Sequence, residues 1–308
     1  MYGRFDKTVD TEGEHLLIEN RKILTFGEED PLRLPWRELQ IDLVFECTGI
    51  FRRHEELARH LGAGARRVIL STPAHSSQVA TVVGGINEWD DKRQPIVSMA
   101  SCITHCVAPV VEVMARRIGV KKAVLTTLHA CTANLRQDVD LPNRRMERGC
   151  AQTVNLIPTS TDAATAIVEL LPYYAGRFDG GAIWAPVSVG SIADMTFVTA
   201  HATTTDEVNQ IFQEEARTER YMDVLSVAED PIVSSDIIQD PHASVVDLTS
   251  TQVVDGDLVK VMSWYDSEWG YASQMVKQAR RLAVNPSLRG TFNGNRHNLH
   301  DETAKTPL

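Results

Sequence analysis

Two short stretches hold the residue types best suited to covalent chemistry. Ser98-Met99-Ala100-Ser101-Cys102-Ile103-Thr104-His105-Cys106 places a cysteine just after a short apolar run, and Thr126-Thr127-Leu128-His129-Ala130 ends another apolar run near a histidine. The pattern predicts Cys102 at a strand-to-helix junction and His129 at the end of a strand. A thiol near a helix N-terminus and a histidine becomes a thiolate more readily than a free cysteine, because the helix dipole and a nearby positive charge favour the anion. A thiolate paired with a histidine base is a covalent catalyst for carbonyl chemistry. In such a scheme Cys102 adds to an aldehyde carbon to form a thiohemiacetal, while His129 takes the proton and then helps to stabilise the oxyanion.

Cys102, His105, Cys106, His129 and Cys131 also invite a metal reading. Cys-x-x-His-Cys is not a usual zinc spacing, and no second ligand pair follows, so no metal is expected. Cys106, one turn beyond Cys102, reads as core.

The elements that must position these residues follow from hydrophobic periodicity. Residues 41–49 read as a buried strand ending in a turn, and His54 to His60 as a short helix with Gly62 and Gly64 as C-cap material. Gly62-Ala63-Gly64 follows a helix rather than a strand, the wrong order for a dinucleotide fingerprint, and reads as a turn. Residues 68–71 and 96–98 are short apolar strands. With helices between them, they suggest a parallel sheet covered on both faces. Val107, Val110, Val111 and Met114 share one helical face, and with Pro109 among them periodicity alone starts that helix near Ala108. Asp194 to His201 alternates like a half-buried antiparallel strand. Thr204 and Glu207 form a capping-box signal for the next helix. Residues 245–248 and 258–262 are further strands, Ala272 to Leu282 is a final helix, and 286–308 read as a disordered tail. Histidines 15, 54, 60, 75, 201, 242, 297 and 300 belong to no constellation and read as surface or satisfied loop positions, and Glu28-Glu29-Asp30 as a solvated loop.

Bulk properties narrow the function classes. At 308 residues and 43% hydrophobic, the chain can bury one large core or two moderate ones. A net charge of -10 argues against a nucleic-acid surface, which needs clustered Lys and Arg. No apolar run suits a membrane span, and the first residues lack the apolar core of a signal peptide. Five widely spaced cysteines fit a reducing cytoplasm better than a disulfide scaffold.

Taken in order, Gly3-Arg4-Phe5, Glu46-Cys47-Thr48-Gly49-Ile50-Phe51, the Cys102 and His129 segments, Ile157-Pro158-Thr159-Ser160-Thr161, Val233-Ser234-Ser235-Asp236 and the stretch from Ser263 to Tyr271 resemble the glyceraldehyde-3-phosphate dehydrogenase family. The resemblance runs from about Tyr2 to Leu282. It implies an α/β plus α+β architecture, and it puts the start of the helix that holds Pro109 near Cys102, where periodicity alone puts it near Ala108. Residues 1–101 would form a partial NAD-binding domain of Rossmann type, completed by a C-terminal helix over 266–285. Residues 102–265 would form a catalytic domain with a mostly antiparallel sheet covered by helices. It also implies a homotetramer, NAD or NADP as cofactor, and an aldehyde such as a phosphorylated triose as substrate. Cys102 would be the nucleophile and His129 its base. Hydride would leave to a nicotinamide ring, and phosphate or water would resolve the thioester. Thr48, Gly49, Ser71, Ser267 and Tyr271 would lie along the cofactor. Ser101, Thr132, Thr161 and the position of Trp184 would face substrate or phosphate.

The departures from the family pattern carry their own expectations. The family opens with a strand, a glycine-rich turn and a helix, so a βαβ unit of roughly 30 residues is expected to be missing. A valine codon taken as a start, a gene fragment and a short protein are the alternatives. Trp184 replaces a phosphate-gripping arginine, and an indole makes no charge-assisted contact. Ile103 replaces a threonine, Asp162 a glycine, and Ser267, Met99 and His105 asparagines. These changes raise two further readings: preference for a different aldehyde, or a catalytically silent binding or oligomerisation subunit. A minor third keeps the Cys102 thiol as an esterase-like or redox-sensing nucleophile without the cofactor.

Overall fold

The protein is described by a computed structural model at residues 2–19, 21–130 and 154–284. The predicted tail lies outside the described residues. Three short strands open the chain, β1 (Val9–Glu12), β2 (His15–Ile18) and β3 (Arg21–Leu24), which form an antiparallel meander. Sequence reading gave no sign of them, because β1 and β3 are exposed along their whole length and carry no apolar alternation.

A second sheet is parallel throughout, in the order β4-β5-β7-β6, from β4 (Leu43–Glu46), β5 (Arg67–Leu70), β6 (Ala80–Thr81) and β7 (Ile96–Ser98). Helix α1 (His54–Ala63) connects β4 to β5. Gly62 lies inside α1, and Gly64, at φ +116°, is the C-cap. Side chains alternate across this sheet as strand geometry requires. Val68, Leu70 and Ile96 share a core with Leu57 of α1, whereas Ile69, Val97 and Met99 share one with Met275 of the final helix. Both faces are therefore covered, and each fully buried aliphatic side chain contributes about 1.5–3 kcal/mol.

The largest sheet has seven strands in the order β12-β13-β14-β11-β8-β10-β9. They are β8 (Val120–Ala130), β9 (Ile157–Ser160), β10 (Phe178–Ala185), β11 (Ser191–Thr199), β12 (Leu225–Ala228), β13 (Ser244–Val254) and β14 (Leu258–Tyr265). Only the β10–β8 and β12–β13 pairs are parallel. β11 shows the alternation expected for the stretch from Asp194, with every second residue buried. Helices α2 (Cys102–Arg117), α3 (Ala163–Leu170) and α4 (Thr205–Ala216) pack with this sheet in one large core, which includes Val107, Val110, Met114, Phe197, Phe212 and Val261. Among the described residues no helix is long and apolar enough to cross a membrane.

Helix α2 starts at Cys102, not near Ala108, and Pro109 sits within it. Its residues from Ile103 to Met114 are all buried, so its first turns show no polar face from which a period could be read. Thr204 does cap α4, accepting the Glu207 N–H at 3.2 Å. The Glu207 carboxylate instead accepts from the Thr203 hydroxyl at 2.8 Å, so the reciprocal half of the predicted box is replaced by a neighbouring contact. The final helix, α5 (Trp269–Val284), begins before the predicted Ala272. The Asp266 carboxylate accepts the Glu268 and Trp269 amides at 3.1 and 2.9 Å and so caps it.

Gly190, just before β11, has φ +83°, and a Cβ there would overlap the Ser234 backbone. Substituting Gly190→Ala is expected to cost about 3 kcal/mol or more through a left-handed backbone and a steric clash. Chemical denaturation checks this, and an unchanged midpoint would refute the constraint.

Candidate active site

The chain leaves β7 through Ala100, a non-glycine residue with φ +48°. Three hydrogen bonds hold this left-handed turn. The Ala100 N–H donates to Ser98 Oγ at 3.0 Å, the Ser98 hydroxyl donates to the Thr72 carbonyl at 2.7 Å, and the Tyr271 hydroxyl reaches the Ala100 carbonyl at 3.1 Å. Ser101 follows and accepts the Thr104 N–H at 3.2 Å, capping α2. Its hydroxyl also lies 2.9 Å from Thr104 Oγ1, so its role here is helix initiation.

Cys102, at the first position of α2, is half-buried, with its Sγ 3.5 Å from Nε2 of His129 near the end of β8. His129 Nδ1 lies 2.7 Å from the Ala130 carbonyl, which can only accept. The proton of a neutral His129 therefore sits on Nδ1, and the Nε2 lone pair faces the thiol. Sequence proximity did not bring these groups together. They meet because β7 ends and β8 ends at the same place.

Two rings box in the imidazole. Trp184 stacks on it with centroids 5.3 Å apart and planes at 29°, and Tyr265 meets it edge-on at 5.9 Å. The first contact follows from register, since Trp184 of β10 is the direct partner of His129 in the parallel pair with β8. Trp184, at the position of the family's arginine, thus presents an aromatic face to His129, and such a face favours the protonated imidazole.

Burial pushes the Cys102 thiol up to about 12. The Ile103 and Cys102 amides at the helix start oppose this, and the Asp266 and Glu268 carboxylates add to it. Burial also holds His129 below the usual imidazole range, partly offset by the Ala130 carbonyl. Desolvation thus works against the ready thiolate expected from sequence, outweighing the helix amides, and favours a neutral thiol beside a neutral imidazole. Proton transfer between them creates both charges together, so that each stabilises the other.

A second group of residues lines the carboxyl ends of the parallel strands, where open α/β sheets bind ligands. Thr48 and Gly49 follow β4. Gly49 has φ +73°, with nothing within 4 Å of where a Cβ would stand. Ser71 follows β5, its N–H donating to the Glu46 carbonyl at 3.0 Å. Ser267 lies in the capped turn before α5. Tyr271 on α5 bridges the two groups. Its hydroxyl is held well above its ordinary pKa, first by burial and then by the Cys102 and Cys47 thiols near it. Open space over a left-handed glycine at the end of a parallel sheet fits a dinucleotide laid across the strand ends.

Of the remaining predicted residues, Thr161 precedes α3 and accepts the Ala163 N–H at 3.2 Å, and Thr132 lies outside the described residues. His60 departs from the surface or loop position expected for it. It is buried in α1 and bonded to Trp36 and Glu46. The run at 28–30 is also engaged: Asp30 caps a short 3-10 turn at Pro31–Arg33 and pairs with Arg59 at 2.7 Å. His105 is buried against Tyr271, with ring centroids 5.5 Å apart, and burial pushes its pKa down to about 4.

A parallel sheet followed by a larger mixed sheet, with a Cys–His pair at the start of α2 and the end of β8, is a two-part α/β architecture. Residues 1–54 match the glyceraldehyde 3-phosphate dehydrogenase NAD binding domain, and residues 101–267 match the C-terminal domain of the same enzyme family. The chain is 40% identical over 283 residues to glyceraldehyde-3-phosphate dehydrogenase of Zymomonas mobilis, covering 92% of this chain and 84% of that protein. It is 39% identical over 286 residues to glyceraldehyde-3-phosphate dehydrogenase 2 of Bacillus subtilis, covering 92% and 83%. Against glyceraldehyde-3-phosphate dehydrogenase 2 of Streptomyces avermitilis it is 38% identical over 276 residues, covering 89% and 82%. The chain belongs to the glyceraldehyde-3-phosphate dehydrogenase family.

The raised Cys102 thiol has a direct kinetic signature. In the ligand-free protein, iodoacetamide alkylation of Cys102 is expected to rise by about tenfold per pH unit from about pH 6 to about pH 9 without levelling. Peptide-resolved mass spectrometry follows it, and a plateau below about pH 8 would contradict the neutral resting pair.

Proposed function

We propose that this protein oxidises glyceraldehyde 3-phosphate, or a closely similar aldehyde, with NAD or NADP as the hydride acceptor. The observation that carries the reading is the Cys102–His129 pair, with Sγ and Nε2 3.5 Å apart and the histidine tautomer set by the Ala130 carbonyl. That arrangement, in a member of this family, favours a working enzyme over a silent subunit.

Each step assigned to the chain follows from this geometry. His129 Nε2 accepts the Cys102 proton as the sulfur bonds to the aldehyde carbon. The imidazolium then faces the new oxyanion and stabilises it, supported by the Trp184 ring stacked behind it. A bound nicotinamide dinucleotide supplies the hydride acceptor. Thr48, Gly49, Ser71, Ser267 and Tyr271 hold it in this reading. The resulting thioester on Cys102 is released by phosphate or water, with His129 positioned to return the proton. Thr161, Ser101 and Trp184 serve the substrate in this reading, Ser101 acting mainly through the start of α2, and Thr132 is assigned to it by the family resemblance alone.

The division of labour follows the same reading. Residues 1–101 with 266–285 serve the cofactor, and 102–265 carry the chemistry. A homotetramer and a cytoplasmic setting complete the proposal, the first open to light scattering and the second to cell fractionation.

The test is an assay of the purified full chain with glyceraldehyde 3-phosphate, phosphate and NAD or NADP, followed by reduced-nucleotide absorbance. Cys102→Ser is expected to lower kcat by roughly a thousandfold or more, and His129→Gln by about 10²–10⁴. Turnover that survives Cys102→Ser would defeat the mechanism.

A further inference from the structure

A buried side-chain relay lies away from the Cys–His pair and takes no part in the chemistry above. It starts at Trp36, in the loop after the first sheet, whose indole can only donate. The Trp36 Nε1–H points at His60 Nδ1 at 3.1 Å. That nitrogen must therefore be the lone-pair nitrogen, and a neutral His60 carries its proton on Nε2. Nε2 lies 3.0 Å from Glu46 Oε2 and donates to it. The other Glu46 oxygen accepts twice from Thr48, from its N–H at 2.8 Å and its hydroxyl at 2.5 Å. Thr48 Oγ1 in turn accepts the Ile50 N–H at 3.2 Å. Every role is fixed once the indole is placed, because the relay cannot run in reverse.

Burial gives the arrangement its force. Glu46 is 2% exposed and His60 4%. A carboxylate in such a place is costly unless donors surround it. Burial pushes the Glu46 carboxyl up, but the His60 and Thr48 hydrogen bonds outweigh it and hold Glu46 below the usual range. The outer anchors are also tied down. Phe26 meets Trp36 edge-on at 6.2 Å, and the Arg37 N–H donates to the Ala63 carbonyl at the end of α1 at 3.0 Å. The relay thus fastens a loop, a helix and a strand to one exposed turn, where Gly49 adopts φ +73° beside open space.

We propose that Trp36, His60 and Glu46 are positioning residues that set the Thr48–Gly49 turn in the shape the dinucleotide requires. This rests on the cofactor reading given above. The three residues act through the turn and touch no reacting atom.

Three variants of the full chain test it. Glu46→Gln keeps size but replaces an acceptor with a donor, so either His60 or the Thr48 amide loses its partner. His60→Leu removes both the acceptor and the donor. His60→Gln retains one of each. The readouts are the KM for NAD against kcat, amide hydrogen exchange of residues 47–51, and the Cys102 alkylation rate as an independent report on the site. For Glu46→Gln and His60→Leu, KM is expected to rise about tenfold, with a smaller change in kcat, faster exchange at 47–51 and unchanged alkylation. His60→Gln is expected to recover most of both effects. A Glu46→Gln protein with wild-type exchange and wild-type KM overturns the proposal. So does a His60→Gln protein as impaired as His60→Leu, since shape rather than donor and acceptor roles would then matter. Should His60→Leu fail to fold, Glu46→Gln against His60→Gln decides. If the wild type binds no dinucleotide, the cofactor reading fails, while exchange at 47–51 still decides whether the relay holds the turn.

Discussion

A helix buried along most of its length can begin only where its first amide groups find acceptors. For α2 that requirement falls at Ser101, whose hydroxyl receives the Thr104 N–H, a contact of a kind worth about 1 kcal/mol. The cap can stand there because the left-handed turn at Ala100 redirects the chain out of β7, and Tyr271 and Ser98 brace that turn from two sides. Cys102 is the next residue. The place of the sulfur is a consequence of satisfying backbone groups at the junction of two sheets. The large core then assembles around the rest of the helix.

Two of the three buried histidines among the described residues, His129 and His60, show one principle used in two directions. At His129 a carbonyl claims the Nδ1 proton and leaves the Nε2 lone pair facing the Cys102 sulfur. At His60 an indole claims the Nδ1 lone pair and forces Nε2 to donate. Neither ring is free to choose its tautomer, and in each case the choice comes from a neighbour that has only one hydrogen-bonding role. Charge is handled with similar economy across α2 and α4. Arg116 and Arg117 close on Glu215, Arg116 also on Glu112, and the Tyr221 hydroxyl donates to Glu112 at 2.6 Å.

How much of this could be read from the chain depended on whether the signal was local. The apolar strands at 68–71 and 96–98, the cap at Thr204 and the alternation from Asp194 were legible, because each reflects neighbours in sequence. The start of α2 was not legible in its period, since a helix buried on all sides loses it, and only the strand-to-helix junction at Cys102 and the family resemblance pointed there. The first three strands carried no alternation to detect. Asp255 and Gly256, with φ +50° and +77°, join β13 to β14, and this Asp-Gly hairpin signal was there to be used. Cys102 and His129 could be singled out by type, but the low thiol pKa inferred from the helix start was overruled by burial. Trp36, His60 and Glu46 lie on three separate segments, and only the tertiary fold makes a relay of them.

The parallel sheet is complete in sequence by Ser98, yet one of its faces is covered by α5, which begins at Trp269. On a ribosome the interval between the two is on the order of ten to thirty seconds. For that time Ile69, Val97 and Met99 have no Met275 to pack against, and the Ala100 turn lacks its Tyr271 brace. The N-terminal third therefore emerges with an apolar face exposed and an unsecured crest, and it matures only when α5 returns to it. Completion of the parallel sheet's core is thus scheduled after synthesis of the seven-stranded sheet, so a nascent chain has a window in which chaperone capture competes with aggregation.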